Sequence, residues 1–182
     1  DLKAEQFKGY DILHVEGYLV QNHDLLEGIL KIAKEQGLEI SLDLASYNVV
    51  EDNLDFLKKM VEQYVDIVFA NEEEAKAFTG EEPEEALNKL GEVAKIAIVK
   101  VGSKGSMIKE NGDIARVGVE KTKVVDTTGA GDLYAAGYLY GYVNNFSHEK
   151  SGKIGALLAS KVIADYGAKI SETDWKEIKN RI

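Results

Sequence analysis

The chain contains no cysteine, a single proline among its 182 residues, and no excess of positive charge. The absence of cysteine excludes disulfide bonds and thiolate zinc sites, and it is compatible with a reducing compartment. The 32 acidic residues outnumber the 22 basic ones, which gives a formal net charge of -10. Because nucleic acids and anionic membranes bind basic patches, this balance disfavours both as partners.

Long apolar runs are also missing. No run of about 18 apolar residues is present, so the sequence predicts no membrane-spanning helix. A signal-peptide pattern is absent as well, and we expect a cytoplasmic protein. A hydrophobic content of 45% is enough to bury a core. Because no linker, repeat or low-complexity tract interrupts the chain, we expect residues 1–182 to form one α/β domain.

Short apolar segments alternate with amphipathic segments along most of the chain, which predicts parallel βαβ units. The predicted strands cover 10–15, 38–44, 65–70 and 96–101, followed by a hairpin over 106–117 with Asn111-Gly112 at its turn. The predicted helices cover 23–37, 54–64, 72–79, 84–93, 130–143, 149–166 and 173–179. Continuous apolar strands are typical of a sheet that is covered on both faces.

The chemistry concentrates in the segment 124–137, which reads VVDTTGAGDLYAAG. Val124 and Val125 predict the end of a strand, and a glycine-containing turn then leads into a helix. The first backbone N–H groups of a helix lack internal partners, and together with the helix dipole they form an anion site. Glycines on both sides of Ala130 leave this site open to an oxyanion or a phosphate.

Asp132 places a carboxylate beside this predicted anion site. In that position a carboxylate can take the proton from a hydroxyl group that attacks a phosphoryl group. The alternative interpretation is that Asp132 only caps the helix, because aspartate is a preferred N-cap residue.

The run 126–132 followed by Ala136-Gly137-Tyr138-Leu139 resembles the second signature of the ribokinase, or pfkB, family of carbohydrate and nucleoside kinases. In that family the residues at Gly129, Ala130 and Gly131 form the anion hole, and the residue at Asp132 is the catalytic base. The resemblance implies transfer of the ATP γ-phosphate to a hydroxymethyl group of a sugar or nucleoside. It also implies a Rossmann-like, ribokinase-type three-layer sandwich with a mostly parallel sheet.

A second polar cluster, Asn71-Glu72-Glu73-Glu74, directly follows the predicted strand 65–70. Asn71 is a good N-cap, and acidic residues suit the first turn of a helix, so the cluster is compatible with a purely structural role. The pair Asn71 and Glu74 also resembles the Asn-x-x-Glu pattern of the ribokinase family. There the pair acts on nucleotide-bound Mg²⁺, largely through water, which is how this ion often contacts proteins.

The segment Lys100-Val101-Gly102-Ser103-Lys104-Gly105 lies between a predicted strand and the hairpin. It is compatible with a plain glycine turn, and it resembles the family's Thr-x-Gly-x-x-Gly nucleotide loop. The resemblance implies that Lys100, Gly102 and Gly105 lie at the nucleotide, with Lys100 in place of the usual threonine. The loop lacks the spacing of a Walker A motif.

Gly167 follows the predicted helix 149–166, where a glycine commonly ends a helix. The resemblance places the same Gly-Ala turn beside the nucleotide base. It also implies a monovalent cation site, expected to take K⁺. The residues predicted for this cation site are Asp126, Val162, Asp165, Gly167 and Ser171.

The resemblance covers essentially the entire chain but only the carboxyl-terminal part of a typical family member. We therefore expect a fragment that lacks the amino-terminal strands and the β-sheet lid and that turns over poorly alone. A complementing amino-terminal segment or a second copy of the chain are the expected macromolecular partners. A non-catalytic nucleotide-binding or interaction domain stays open as an alternative. A Rossmann dehydrogenase is disfavoured, because no Gly-x-Gly-x-x-Gly follows an early strand.

Overall fold

The computed structural model describes residues 2–182 and divides into two compact units. The first unit runs to Val101 and includes Lys109–Ile114, whereas the second comprises Gly102–Ile108 and Ala115–Ile182. That these units together form one domain stays a prediction.

Strands and helices alternate through the first unit, as the sequence pattern predicts. Its strands are β1 (Ile12–Glu16), β2 (Glu39–Asp43), β3 (Ile67–Asn71) and β4 (Ile96–Lys100). Its helices are α1 (His23–Glu35), α2 (Tyr47–Asp52), α3 (Leu54–Tyr64), α4 (Glu72–Thr79) and α5 (Pro83–Val93). The four strands pair in parallel and in chain order, with Glu16 opposite Asp43 and Asn71 opposite Lys100. Their carboxyl ends therefore lie along one edge of the sheet.

The core of the first unit is built on the three strands β2, β3 and β4. Ile40, Leu42, Ile67, Phe69 and Ile98 are all fully buried there. Burial of each such side chain contributes about 1.5–3 kcal/mol, so these strands dominate the stability of the sheet. The helices add their apolar faces to this core; the fully buried helical residues of α1 and α3 are Leu26, Leu30, Ala33, Leu57, Met60 and Val61.

The predicted hairpin is confirmed. Strands β5 (Ser106–Glu110) and β6 (Asp113–Val117) follow β4 in the strand order of the six-stranded sheet. Asn111 and Gly112 have φ angles of 51° and 90°. Two consecutive positive φ angles are what a two-residue hairpin turn requires, and asparagine followed by glycine adopts them at low cost.

Three helices make up most of the second unit: α6 (Ala130–Val143), α7 (His148–Val162) and α8 (Glu172–Arg181). Lys161 of α7 forms ion pairs with Asp174 and Glu177 of α8, at 2.9 and 2.5 Å. Helix α8 is also tied to the segment before α6, because Arg181 pairs with Glu120 at 2.9 Å. No helix within residues 2–182 is long and apolar enough to cross a membrane.

The structure corrects three details of the predicted elements. Val124 and Val125 are not part of a strand; they are 58% and 38% exposed, and the Val125 N–H bonds to the Ile163 carbonyl instead of to a neighbouring strand. The predicted helix 149–166 ends earlier, at Val162. Helix α2 is absent from the predicted elements, because its six residues are too few to show a helical period.

Close approach of two helix backbones explains why glycines recur in α6 and α7. A Cβ atom on Gly137 would lie 2.8 Å from the Cα of Gly155 and 2.9 Å from its backbone nitrogen. No flexible side chain stands between these helices here, so a larger residue can fit only if a backbone moves.

We predict that Gly137→Ala lowers the free energy of unfolding by about 1–3 kcal/mol, because the new methyl group overpacks a rigid helix crossing. Gly28→Ala is the matched control, since a Cβ there would meet only Leu2 at 3.9 Å. In the interior of α1 that change should instead stabilise by about 1 kcal/mol. Urea denaturation followed by circular dichroism measures both, and equal effects of the two changes would contradict overpacking at the crossing.

Candidate functional site

The start of α6 presents backbone N–H groups where the sequence predicts an anion site. Gly129 is the N-cap residue and has a φ angle of 79°, which favours glycine. The Ala130 N–H is used in a turn, where it donates to the Thr127 carbonyl at 3.2 Å. Gly131 and Asp132 are the second and third residues of the helix, so their N–H groups have no acceptor within it. Of the predicted Gly129, Ala130 and Gly131, only Ala130 has its N–H engaged within residues 2–182, and the N–H of Asp132 is a further open donor.

The Asp132 side chain is exposed at this helix start. No hydrogen bond or ion pair engages its carboxylate among the residues that the structure describes. Because Gly129 is the N-cap residue and no side chain caps the helix, Asp132 does not serve as the cap. A carboxylate that is exposed, unengaged and beside open N–H donors is available to accept a proton from a bound hydroxyl group.

Tyr134 anchors this first turn to the hairpin. Its hydroxyl lies 2.6 Å from the Ser106 Oγ, and both residues are buried. Burial raises the pKa of Tyr134 to about 12, although the hydrogen bond with Ser106 partly offsets it. The phenol therefore stays neutral at physiological pH and fixes the position of the helix two residues beyond Asp132.

Asp126 links the loop before α6 to the turn after α7. Its Oδ1 accepts hydrogen bonds from the Thr128 N–H at 2.9 Å and from the Thr128 Oγ1 at 2.7 Å. Its Oδ2 accepts from the Gly167 N–H at 3.0 Å. These donors, the Thr128 backbone first, hold the pKa of Asp126 below its usual value. The same two loops touch at Gly129, where a Cβ atom would lie 2.7 Å from the Ala168 Cβ.

The side chains of the other residues predicted for a cation site either bond to nearby residues of the chain or are buried in the core. The Asp165 carboxylate accepts from the Tyr166 N–H at 2.8 Å, and the Ser171 Oγ accepts from the Asp174 N–H at 3.1 Å as the cap of α8. Val162 is fully buried. Of the predicted set, a hydrogen bond joins only Asp126 and Gly167 among residues 2–182.

The predicted nucleotide loop is a short 3-10 turn, Gly102–Lys104, followed by Gly105. Gly105 has a φ angle of 94°, and a Cβ atom on it would lie 1.9 Å from the Val117 carbonyl oxygen. No side chain fits at that position, so Gly105 is required for the hairpin to close. Gly102 has a φ angle of 54°, and a Cβ atom on it would meet nothing within 4 Å, so its outer face is open.

Asn71 and Glu74 cap α4 reciprocally, as a capping box does. The Asn71 Oδ1 accepts from the Glu74 N–H at 2.8 Å. In return, the Glu74 Oε2 accepts from the Asn71 N–H at 2.7 Å, and its Oε1 accepts from the Asn71 Nδ2 at 2.6 Å. This arrangement is compatible with a purely structural helix cap. It is also compatible with a contact to hydrated Mg²⁺, since each carboxylate oxygen of Glu74 retains a lone pair for water.

Glu74, in the first turn of α4, is close to a charged row formed by Glu16, Asp43 and Lys100, which end strands β1, β2 and β4. It is 3% exposed, and burial raises the pKa of its carboxyl group above the ordinary value of 4.5, as does the nearby Asp43. Lys100 and the Asn71 N–H oppose this shift, and Glu16 reinforces it. Lys100 donates to the Asp43 Oδ2 at 2.7 Å.

Asp43 is a member of this row that sequence reasoning missed. Its other oxygen, Oδ1, accepts from the Ala45 N–H at 3.1 Å, which supports a positive φ of 71° at Ala45. No local pattern marks Asp43, because it lies inside the predicted strand 38–44 and its partner Lys100 is 57 residues away. No group of three or more histidine, cysteine, aspartate or glutamate residues that could hold a metal occurs within residues 2–182.

Comparison with known proteins gives consistent matches. The model of the pfkB family of carbohydrate kinases matches residues 2–175. An uncharacterized sugar kinase of Archaeoglobus fulgidus is 29% identical over 174 residues, covering 93% of this chain and 67% of the relative. A nucleoside kinase of Methanocaldococcus jannaschii is 31% identical over 144 residues, covering 77% of this chain and 47% of the relative.

Solved structures confirm the predicted ribokinase-type α/β fold. The adenosine kinase from Sinorhizobium meliloti matches with a TM-score of 0.93 and 32% identity, covering 100% of this chain and 57% of that chain. A probable sugar kinase from Rhizobium etli matches with a TM-score of 0.92 and 33% identity, with the same two coverages. The chain thus spans little more than half of either structure. Since the family model matches nearly all of its residues, the chain belongs to the pfkB family of carbohydrate kinases.

Proposed function

We propose that this chain carries the nucleotide and anion-binding part of an ATP-dependent kinase that phosphorylates a hydroxymethyl group of a sugar or nucleoside. The observation that carries the proposal is the start of α6, where the exposed Asp132 carboxylate adjoins the open N–H groups of the first helical turn. The relatives named above are sugar, nucleoside and adenosine kinases, which supports a small-molecule acceptor.

In this proposal Asp132 is the catalytic base. Its carboxylate takes the proton of the acceptor hydroxyl as the hydroxyl oxygen bonds to the γ-phosphorus and the bond to the β-phosphate oxygen breaks. Of the predicted Gly129, Ala130 and Gly131, the backbone N–H groups of Gly129 and Gly131 would face the charge on the transferred group, together with that of Asp132. The Ala130 N–H would first have to leave the Thr127 carbonyl. Such transfer depends mainly on positioning and electrostatic stabilisation, which this helix start supplies without large side chains.

The nucleotide would lie against the glycine-rich turns. We assign Gly102, Gly105 and Gly167 to this surface, because φ angles of 54°, 94° and 80° at these residues let the backbone approach a ligand without a side chain. Lys100 belongs to the same predicted set. Its ammonium group already binds Asp43, however, which makes a direct phosphate contact the weaker assignment for Lys100.

Asn71 and Glu74 fit hydrated Mg²⁺ better than a directly coordinated ion. Each carboxylate oxygen of Glu74 is already hydrogen-bonded to Asn71, so the pair offers lone pairs to metal-bound water and not a closed cage. When bound, Mg²⁺ would neutralise charge on the nucleotide phosphates. This role requires an ionised Glu74, and hence a pH above the raised pKa of that residue.

A monovalent cation, K⁺ in our proposal, would lie near the link between Asp126 and Gly167. Asp126 is suited to a cation because its ionised form is favoured, and the Gly167 N–H donates a hydrogen bond to its carboxylate. Val162, Asp165 and Ser171 would take part through backbone carbonyls. A cytoplasmic location, where ATP is available to a kinase, is part of the same proposal. Self-association or a complementing amino-terminal segment completes it.

A non-catalytic nucleotide-binding domain is the competing proposal. The chain spans only 57% of the Sinorhizobium meliloti adenosine kinase, so residues that bind the acceptor can be supplied by another segment. Calorimetric titration with ATP, followed by turnover with a panel of sugars and nucleosides, separates the two proposals. Both measurements are made twice, once on the chain alone and once with an added amino-terminal half taken from a relative.

We predict that Asp132→Asn lowers turnover by about 10²–10⁴-fold, the usual contribution of a general base, and leaves ATP affinity nearly unchanged. Asp55→Asn is the matched control, because Asp55 is also exposed in the first turn of a helix. The assay measures turnover with the added amino-terminal half present. A near-normal rate for Asp132→Asn would remove Asp132 from the role of base.

We also predict a pH effect from Glu74. Its pKa is raised in the folded state, so the stability due to this group is present below its unfolded pKa of about 4.5 and is lost as pH rises through the folded pKa. Glu74→Gln removes the titration. Its free energy of unfolding, relative to the unmodified chain, should therefore rise with pH above about 4.5, by at most about 1.4 kcal/mol per pH unit.

Urea denaturation without Mg²⁺ between about pH 4.5 and 7.5 measures this slope. The control is Glu73→Gln, an exposed neighbour in the same helical turn, which should leave the pH dependence close to that of the unmodified chain. A Glu74→Gln difference that stays flat or falls with pH would contradict the raised pKa.

A further inference from the structure

The ion pair between Lys100 and Asp43 connects two strands that are not neighbours. Asp43 ends β2 and Lys100 ends β4, with β3 between them in the sheet. The Lys100 Nζ lies 2.7 Å from the Asp43 Oδ2, and the two side chains are only 16% and 9% exposed. The pair therefore bridges the end of β3, the strand that leads into Asn71 and Glu74.

The surroundings of this pair are rich in negative charge. Glu74 is almost fully buried, and both Asp43 and Glu16 act on it as like charges, whereas Lys100 acts on it with the opposite sign. Glu16 ends β1 directly opposite Asp43 in the sheet register. Asp43 and Glu16 end neighbouring strands, whereas Glu74 lies in the first turn of α4. Lys100 is the cation that acts on Glu74 against both of these strand-end carboxylates.

A second ion pair joins the same strands at their other ends. Lys95, just before β4, lies 2.8 Å from the Glu39 carboxylate at the start of β2. These side chains are 46% and 36% exposed, so water screens them and the pair adds little to stability. The contrast in burial separates the Lys100 pair, whose charges are largely shielded from water, from an ordinary surface pair.

We propose that Lys100 is a positioning residue, the counter-ion that holds Asp43 in place and balances the Asp43 and Glu74 carboxylates, and that it does not bind the nucleotide phosphates itself. Without Lys100, Asp43 would remain a largely buried charge beside a second buried carboxylate, which is strongly unfavourable. The part of this inference that concerns Mg²⁺ and ATP rests on the proposed function, whereas the charge compensation does not.

The charge compensation is tested by a double-mutant cycle in urea with Lys100→Met, Asp43→Asn and the combined variant. Lys100→Met should lower the folding equilibrium constant by roughly a hundredfold, because a buried charge loses its partner. The combined variant should recover at least about tenfold of this loss, which is the coupling expected for residues in contact. Additive effects overturn the proposal.

The matched cycle with Lys95→Met and Glu39→Gln should show coupling of no more than about fivefold, as is usual for exposed pairs. Coupling at this end equal to that of the Lys100 pair would show that burial does not matter, and would overturn the proposal. If Lys100→Met does not fold, the combined variant decides: a folded combined variant supports the counter-ion role, and an unfolded one overturns it.

Calorimetric titration with ATP in saturating Mg²⁺ tests the positioning role. Lys100→Met should weaken binding by about tenfold, since it leaves one uncompensated negative charge near an anionic ligand. Addition of Asp43→Asn in the combined variant should restore most of the affinity. If the combined variant binds as weakly as Lys100→Met, the ammonium contacts the nucleotide directly, and the positioning role is overturned.

The counter-ion role and the kinase function can fail separately. If the unmodified chain does not bind ATP even with an added amino-terminal half, the proposed kinase function is contradicted. The urea cycle still decides whether Lys100 is the counter-ion of Asp43, because it requires no ligand. If Lys100 and Asp43 are coupled in urea but the combined variant does not recover ATP binding, only the positioning role is contradicted.

Discussion

Parallel strands that are buried on both faces present charged side chains at their ends, and this constraint governs the first unit. Strands β3 and β4 are apolar up to their last residues, Asn71 and Lys100, and the buried centre of β2 is flanked by Glu39 and Asp43. Asn71 is paired with Lys100, and Asp43 with Phe69 two residues earlier, so these residues lie in one row along the same edge of the sheet. The chemistry of the row is therefore a consequence of how the core is built.

A row of this kind needs internal charge balance, because its members are not fully solvated. Glu74 combines burial with two nearby carboxylates, and both raise its pKa, whereas Lys100 and the Asn71 N–H lower it. The capping box supplies two donors to Glu74, and Lys100 supplies the cation for Asp43. The same contacts that end β3 and begin α4 thus also determine the electrostatics available to a ligand.

The sequence is most informative where one physical signal dominates. Helix α3 has the predicted bounds Leu54–Tyr64, because its apolar residues keep a helical period between clear boundaries, and α6 has the predicted bounds 130–143 after a glycine turn. The strand predicted at Val124 and Val125 is wrong because β-branched residues favour a strand only where a neighbouring strand is available. Local spacing cannot reveal Asp43, because its partner Lys100 is 57 residues away and the pairing depends on the sheet.

The polar side chains among the candidate site residues fall into two classes by their hydrogen bonds. Asn71, Glu74, Lys100 and Asp126 have their polar atoms bound to other residues of the chain, which fixes their positions before any ligand arrives. Asp132 is different, since residues 2–182 provide no partner for its carboxylate. A group that must accept a proton works best when no other donor competes for it, whereas groups that shape a field work best when they cannot move. The unengaged state of Asp132 is what its proposed role as a base in phosphoryl transfer requires.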